Sequence, residues 1–230
     1  MKAVLKLGGF IFDSELSDKI IDRYAGILRE FSKRNRLVVV TGGGSIARKY
    51  ITAARDLGAS EFFCDQIGIH VSRLNARLLA TALRESACQK IPESPDDLVE
   101  SLNSELIVVI GGLQPGQSTN AVAALAAEAM HADLLVNATK VDGAYTTDPR
   151  RDPNAKKLDE VTPDQLMKIL STEGFKAGEY DLMDPLALRI IKRSNIHTVI
   201  VDGSDSSNIE KALRGKRIGT RIIPAERRSR

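Results

Sequence analysis

The chain has 230 residues, 43% hydrophobic and 27% charged, with a formal net charge of +3. This composition excludes disordered and fibrous classes, and the length suits one compact unit. Two cysteines, three isolated histidines, no Trp and 4% aromatics disfavour a disulfide framework, a metal cluster and single-stranded nucleic-acid binding. Because we find neither a signal-peptide pattern nor an apolar run near the ~20 residues of a membrane span, we expect a soluble cytoplasmic protein.

Short β-branched runs alternate with amphipathic helical stretches along the chain. Buried strands are predicted at residues 3–7, 37–41, 106–110, 134–138 and 198–201. This alternation is typical of an α/β protein with a doubly wound, parallel sheet. Its ligands are expected at the carboxyl ends of the strands.

Two helical stripes and two further helices are predicted between these strands. The first stripe contains Ile20, Tyr24, Ile27, Leu28 and Phe31, and the second contains Ile67, Val71, Leu74, Leu78 and Ala82. We expect both stripes in the core. An Ala-rich helix is predicted over 122–130, and another over 186–193 behind Pro185, a residue suited to a first helical turn.

Three glycine-rich segments follow predicted strands, at residues 8–9, 42–44 and 111–119. Glycine lets the backbone approach an anion and direct N–H groups at it, and a following helix start adds partial positive charge. One such turn is as often structural as functional. Three at one edge of a sheet predict a site for several phosphates.

Two common nucleotide fingerprints do not match these segments. Residues 42–44 lack the spacing of the dinucleotide-binding pattern and its acidic partner. Residues 111–118 have the spacing of a Walker A loop, but Gln117 stands where the lysine is required. The segments are therefore interpreted as phosphate-binding turns of another kind.

Two cations are placed to complete such a site. Lys6 ends the first strand just before the glycines and can hold a point charge over a transferring phosphoryl group. Arg48 lies one helical turn after Gly44 and can close over the same anion. The structural alternatives are a solvent-exposed lysine at a strand end and an ordinary surface charge on a helix.

Six motifs occur in order along the chain. They are KLGG from Lys6, TGGGSIARKY from Thr41, CDQIG from Cys64, GGLQPGQST from Gly111, NATKVDGAYTTDP from Asn137 and DLMDPLALRI from Asp181. The ordered set resembles the amino-acid-kinase family, and within it the archaeal-type uridylate kinases. The resemblance implies a three-layer α/β/α sandwich around a mostly parallel, eight-stranded sheet. It also implies an acceptor part at about 1–135, an ATP-binding part at about 136–225 and a basic tail at 226–230.

The resemblance further implies transfer of the γ-phosphate of ATP to uridine monophosphate (UMP) in pyrimidine nucleotide synthesis. The implied catalytic residues are Lys6, which neutralises the moving phosphoryl group, and Asp184. The implied UMP-binding residues are Gly43, Asp65, Leu113, Gln114, Pro115, Gly116, Gln117, Ser118 and Thr119. The implied ATP-binding residues are Gly8, Gly9, Gly44, Arg48, Thr139, Tyr145 and Asp148. Mg²⁺ is expected with ATP, a homohexamer is implied, and no nucleic acid, membrane or protein-bound metal is expected.

Several alternatives remain open. Asp184 precedes Pro185 and suits a helix N-cap as well as catalysis. Asn120 stands where relatives often have an aspartate, so a nucleotide-binding sensor with weak turnover is one rival. Another is a kinase of the same fold acting on isopentenyl phosphate, carbamate or an amino-acid carboxylate. Asp65 and residues 114–119 favour a nucleotide.

Overall fold

The computed structural model describes residues 1–13, 15–149, 152–172 and 182–224. They form a seven-stranded sheet in the order β3-β2-β1-β4-β6-β7-β5. The strands are β1 (Lys2–Leu7), β2 (Arg36–Thr41), β3 (Val108–Ile110), β4 (Leu134–Thr139), β5 (Glu160–Val161), β6 (Thr198–Asp202) and β7 (Thr220–Ile222). The β6–β7 pair is antiparallel and the other pairs are parallel.

The mostly parallel sheet is therefore confirmed, but the described residues form seven strands rather than the eight expected. All five strands predicted from the sequence are present. β5 and β7 have two and three residues. β3 is also only three residues long, but it ends a continuous apolar run over 106–110, whereas no such run marks β5 or β7. They form through pairing at the sheet edge, which local sequence does not encode.

Helices cover both faces of the sheet. They are α1 (Asp18–Ser32), α2 (Gly44–Asp56), α3 (Glu61–Leu83), α4 (Pro95–Ser101), α5 (Thr119–Met130), α6 (Pro163–Thr172), α7 (Pro185–Ser194) and α8 (Ser206–Leu213). One core cluster lies between the sheet and α1, α3 and α8, and a second lies between the sheet and α4, α5, α6 and α7. This arrangement is the expected three-layer sandwich.

Alternation along β1 decides which core each side chain joins. Ala3, Leu5 and Leu7 belong to the cluster beneath α1 and α3, whereas Val4 belongs to the cluster beneath α5. Because successive strand residues point to opposite faces, Lys6 lies on the α5 face. The end of β1 thus brings a cation among apolar residues.

The second predicted stripe is wrong as a core face. In α3, Leu74 is 65% exposed and Leu78 is 37% exposed. The buried face instead carries Ser72, Asn75, Ala76, Leu79 and Leu83. Because Ser72 and Asn75 are polar, the sequence pattern placed this face on the outside of the protein. In α1, Tyr24 and Leu28 are buried as expected, but Ile20 is 42% exposed.

The predicted helices over 122–130 and 186–193 are confirmed as α5 and α7. Within the described residues, no helix is both long enough and apolar enough to cross a membrane. The arginines of the predicted basic tail, Arg227, Arg228 and Arg230, lie outside the described residues.

Candidate functional site

A cavity of about 540 Å³ opens at the carboxyl ends of β1, β2, β3 and β4. It is the place where the three glycine-rich segments converge, because β1, β2 and β3 are adjacent and parallel. The sequence prediction that these segments share one edge is confirmed. The predicted site residues that line the cavity are Lys6, Gly8, Gly9, Gly43, Gly44, Arg48, Asp65, Gln117, Thr119 and Thr139.

The first two glycine segments touch backbone to backbone. A Cβ atom on Gly9 would lie 2.1 Å from the Gly44 nitrogen. Gly44 has φ +67°, and its own Cβ would lie 2.4 Å from the Gly9 carbonyl oxygen. Both contacts are too short for any side chain, so the close approach requires glycine at both positions.

Buried polar residues of α3 fasten the glycine segments to the helix. Asn75 Nδ2 donates to the Gly42 carbonyl oxygen at 2.8 Å, and Ser72 Oγ accepts from the Gly112 N–H at 2.7 Å. Sequence reasoning missed these two residues. They are polar residues on the face of α3 that also carries Ala76, Leu79 and Leu83, and no local sequence signal separates them from the other polar residues of that helix.

Lys6 is 7% exposed and lines the cavity. In the sheet register it stands between Val40 of β2 and Asn137 of β4. The alternative of a solvent-exposed strand-end lysine is therefore wrong. A buried ammonium group facing a cavity can neutralise an anion far more effectively than one in water.

Arg48 lies on α2, is exposed and lines the same cavity. It stands one turn beyond the glycine at the start of the helix, as the sequence spacing predicted. Arg48 is therefore both a surface residue and part of the cavity wall.

Asp65 connects α3 to the third glycine segment. Its Oδ2 accepts from the Gly116 N–H at 2.8 Å. Gly116 has φ +78°, which glycine adopts without strain. Of the same segment, Gln117 lines the cavity, whereas Leu113 is buried in the core and Gln114 is exposed. Pro115 lies between these residues and does not line the cavity.

Ser118 and Asp184 cap two helices that begin side by side. Ser118 Oγ accepts from the N–H groups of Asn120 and Ala121, both at 3.1 Å, at the start of α5. Asp184 Oδ1 accepts from the N–H groups of Leu186 and Ala187 at the start of α7.

The two caps are also bonded to each other, since Ser118 Oγ donates to Asp184 Oδ2. The capping role considered for Asp184 is thus present in the structure. Neither capping residue lines the cavity, but Thr119 at the start of α5 does, and the shared hydrogen bond holds the start of α7 beside it. Both helix N-termini carry partial positive charge.

On the other side of the cavity, Thr139 ends β4 and lines the wall together with Lys140. Tyr145 does not line the cavity. Its hydroxyl donates to Asp142 Oδ1 at 2.9 Å, and Lys157 Nζ lies 2.9 Å from Asp142 Oδ2. Partial burial would raise the pKa of Asp142, but the hydrogen bonds from Lys157 and Tyr145 outweigh it and lower the pKa. Asp148 is fully buried and away from the cavity lining.

Four buried side-chain oxygens have no hydrogen-bond partner among the described residues. They are Ser45 Oγ, Gln117 Oε1, Asn120 Oδ1 and Asn137 Oδ1. All four residues lie beside a glycine segment, at the start of α5 or next to Lys6. Because an unsatisfied buried polar atom costs about 1–3 kcal/mol, their concentration at one edge indicates a polar ligand or ordered water.

No group of three or more His, Cys, Asp or Glu side chains that could hold a metal occurs in the described residues. Mg²⁺ that accompanies a nucleotide needs only one or two protein oxygens, since phosphates and water supply the rest. Gln117 lines the cavity, and its side-chain amide oxygen Oε1 is buried without a partner among the described residues, so it is an oxygen of the type that suits that limited demand. The residues present therefore fit a metal that arrives with the nucleotide.

The chain belongs to the amino acid kinase family, whose model matches residues 1–202. The uridylate kinase of Methanothrix thermoacetophila is 47% identical over 96% of this chain and 99% of that protein. The uridylate kinase of Methanococcoides burtonii is 46% identical over 97% of this chain and 100% of that protein. The resemblance inferred from the six motifs is confirmed.

Solved structures agree with these sequence relatives. The crystal structure of uridylate kinase from Archaeoglobus fulgidus superposes with a TM-score of 0.86 at 43% identity, covering 96% of this chain and 100% of that one. UMP kinase from Bacillus anthracis has a TM-score of 0.81 at 21% identity, covering 97% and 96% of the two chains. At that lower identity the likeness concerns the fold alone.

Proposed function

We propose that this protein is a nucleoside monophosphate kinase that transfers the γ-phosphate of ATP to UMP, giving ADP and UDP. The observation that carries the proposal is the convergence of three glycine segments and the buried Lys6 on one cavity. Two phosphate chains must meet in such an enzyme, and backbone N–H groups with a buried cation are suited to hold them. The relatives named uridylate kinase support UMP as the acceptor.

We assign UMP to the part of the chain before residue 136. Asp65 and the segment from Leu113 to Thr119 would bind it, with Gly43 near its phosphate. The Asp65–Gly116 hydrogen bond supports this assignment, because it sets the third glycine segment against α3 at the cavity wall. The other carboxylate oxygen of Asp65 can accept a hydrogen bond from a ribose hydroxyl.

We assign ATP to the part from residue 136 onward together with Gly8, Gly9, Gly44 and Arg48. Thr139 supports the assignment through its place in the cavity wall. Tyr145 and Asp148 lie away from that wall, so they would act by shaping the segment that holds the adenosine. Their direct contact with ATP remains a prediction.

The reaction needs no general base in this assignment. The second pKa of a phosphate monoester is about 6, so the attacking oxygen is already largely ionised near neutral pH. Catalysis then consists of aligning the two nucleotides and stabilising charge on the moving group. Lys6 and the N-termini of α5 and α7 supply that charge stabilisation, and Mg²⁺ bound to ATP would neutralise phosphate oxygens.

A substrate panel tests the proposal. ADP release is followed with ATP, Mg²⁺ and one acceptor at a time: UMP, CMP, AMP, GMP, isopentenyl phosphate, glutamate or carbamate. We expect strong selectivity for UMP. Turnover with another acceptor would refute UMP while keeping phosphoryl transfer. Binding of UMP and ATP without ADP release would support the nucleotide sensor, for which Asn120 was the motivating residue.

We also propose that the protein assembles into a homo-oligomer, with a hexamer as the specific prediction. α3 supports this through an exposed apolar stripe that contains Phe63 (59% exposed), Leu74 (65%) and Leu78 (37%). Exposed apolar stripes of this kind favour association. Light scattering of the parent and of Leu74→Glu measures it: an unchanged mass would refute α3 as the interface. A cytoplasmic place in pyrimidine nucleotide synthesis remains a prediction.

A further inference from the structure

Lys140 is a cavity residue that lies within the motif NATKVDGAYTTDP but to which the family resemblance assigned no role. It follows the last residue of β4 and lines the cavity that Lys6 and Arg48 also line. Its Nζ lies 3.0 Å from Asp13 Oδ2. Since Asp13 ends the short 3₁₀ helix after the first glycine segment, this ion pair joins the loop after β1 to the loop after β4.

The other oxygen of Asp13 serves the start of α2. Oδ1 accepts from the Ser45 N–H at 3.1 Å. The N-cap of α2 is Gly43, which has no side chain and makes no side-chain cap. Asp13 supplies the missing acceptor from outside the helix. The Lys140 ammonium and the N-terminus of α2 therefore share one carboxylate, which places Lys140 beside the second glycine segment.

The negative charge of bound nucleotides would require additional cations in the cavity, and Lys140 can supply one. The phosphates of two nucleotides bring several negative charges into a space walled by Lys6, Arg48 and backbone N–H groups. An ammonium group has three N–H donors. Asp13 accepts from one of them, which leaves two donors for a phosphate in the cavity.

We propose that Lys140 is a third cation of the phosphoryl-transfer site, which binds the phosphates of ATP, and that Asp13 is the residue that positions it. The inference rests on the proposed kinase function, and it adds a residue pair to that site. Lys140 would touch the nucleotide directly. Asp13 acts through Lys140 and through the start of α2.

Binding of nucleotides that differ in phosphate number tests the role of Lys140. The probes are AMP and the β,γ-imido analogue of ATP with Mg²⁺, titrated calorimetrically into the full chain. We expect Lys140→Met to weaken binding of the analogue about tenfold or more, because a charge-assisted hydrogen bond is lost. AMP binding should change less than about twofold, and Lys140→Arg should retain most of the analogue affinity.

A matched control comes from a second lysine–aspartate pair. Lys192 Nζ lies 2.8 Å from Asp164 Oδ2, and both side chains are exposed. Lys192 is in the last turn of α7, at the end of the helix opposite its N-terminal cap. Lys192→Met should leave both affinities unchanged. Equal loss of AMP and analogue binding in Lys140→Met, or no loss of either, would overturn the assignment.

Asp13→Asn separates positioning from a merely structural role. The asparagine keeps a carbonyl oxygen for the Ser45 N–H but loses the charge that holds Lys140. We expect analogue affinity to fall about threefold to fivefold in the parent and not at all in the Lys140→Met background. Equal losses in both backgrounds would show that Asp13 acts independently of Lys140, which contradicts the positioning role.

The outcome can be distinguished from failure of the proposed function. A protein that does not phosphorylate UMP, yet binds the ATP analogue more tightly than its Lys140→Met variant, would refute the acceptor and support Lys140. A protein that phosphorylates UMP, with equal analogue binding by parent and variant, would support the kinase and refute Lys140.

Discussion

The cavity has two sides that are built in opposite ways. The side formed by the first two glycine segments is backbone against backbone, with Gly9 and Gly44 in direct contact. On the side that follows β4, Lys140 lines the cavity and pairs with Asp13, and behind this wall Lys157 pairs with Asp142.

This difference shows which changes each side tolerates. On the glycine side the site depends on the absence of a Cβ atom, so even a substitution by alanine introduces a steric clash. On the side after β4 it depends on charge and hydrogen bonding, so a change of shape matters less than a change of charge. The predictions below test that contrast, from the largest effect to the smallest.

Gly9→Ala should have the largest effect of the substitutions considered at the site. Its Cβ would meet the backbone of Gly44 at 2.1–2.3 Å, so one of the two segments must move. We expect the free energy of unfolding to fall by about 3 kcal/mol. Gly26→Ala is the control, since the nearest atom to its Cβ is the Arg29 side chain at 3.9 Å. That variant should gain ~0.5–1 kcal/mol in helix α1. Urea unfolding measures both, and equal stability of the two variants would contradict the backbone contact.

Lys6→Ala should lower kcat by at least ~10², by analogy with removal of one oxyanion donor. The physical reason is loss of a buried positive charge at the transferring group. Lys2 lies on the same strand but at its amino end, away from the cavity, so the Lys2→Ala enzyme should turn over at the parent rate. Steady-state kinetics of the folded variants decide the matter. A Lys6→Ala enzyme with the parent kcat would remove Lys6 from the catalytic set.

Two substitutions separate the capping role of Asp184 from its catalytic role. Asp184→Asn keeps an oxygen that caps α7, whereas Asp184→Ala removes it and should cost ~1 kcal/mol of stability. If the charge is catalytic, as we expect, Asp184→Asn lowers kcat about tenfold with little change in stability. Parallel kinetics and thermal unfolding measure the two effects. Parent kcat in Asp184→Asn would assign the residue to capping alone.

Asp13 should titrate below the usual range for an aspartate. Partial burial would raise the pKa of Asp13, but the hydrogen bonds from Ser45 and Lys140 outweigh it and lower the pKa. A lowered pKa means that the stability from this link is present above the unfolded-state value and is lost as the pH falls through the folded-state value. Carboxyl NMR titration should show the pKa of Asp13 rising in Lys140→Met. An unchanged pKa would mean that Lys140 does not affect this carboxyl.

The sequence predicted the backbone side of the site better than the side after β4. Glycines directly after buried strands are a local signal, and the parallel sheet carried all three segments to one edge. Lys140 and Asp13 are 127 positions apart in the sequence, and neither stands in a pattern that indicates the other. Ser72 and Asn75 were missed because their partners are backbone groups of distant glycines.

The sequence by itself determined the α/β class, five of the strands, the glycine segments and, through its ordered motifs, the family. These features depend on periodicity, on conformational freedom and on short contiguous strings, all of which are local. Only the tertiary structure decided that Lys6 is buried, which face of α3 is inside, that Ser118 and Asp184 share a hydrogen bond, and that Asp13 holds Lys140. Each of these depends on contacts between residues far apart in the chain, which form only when the helices close over the sheet.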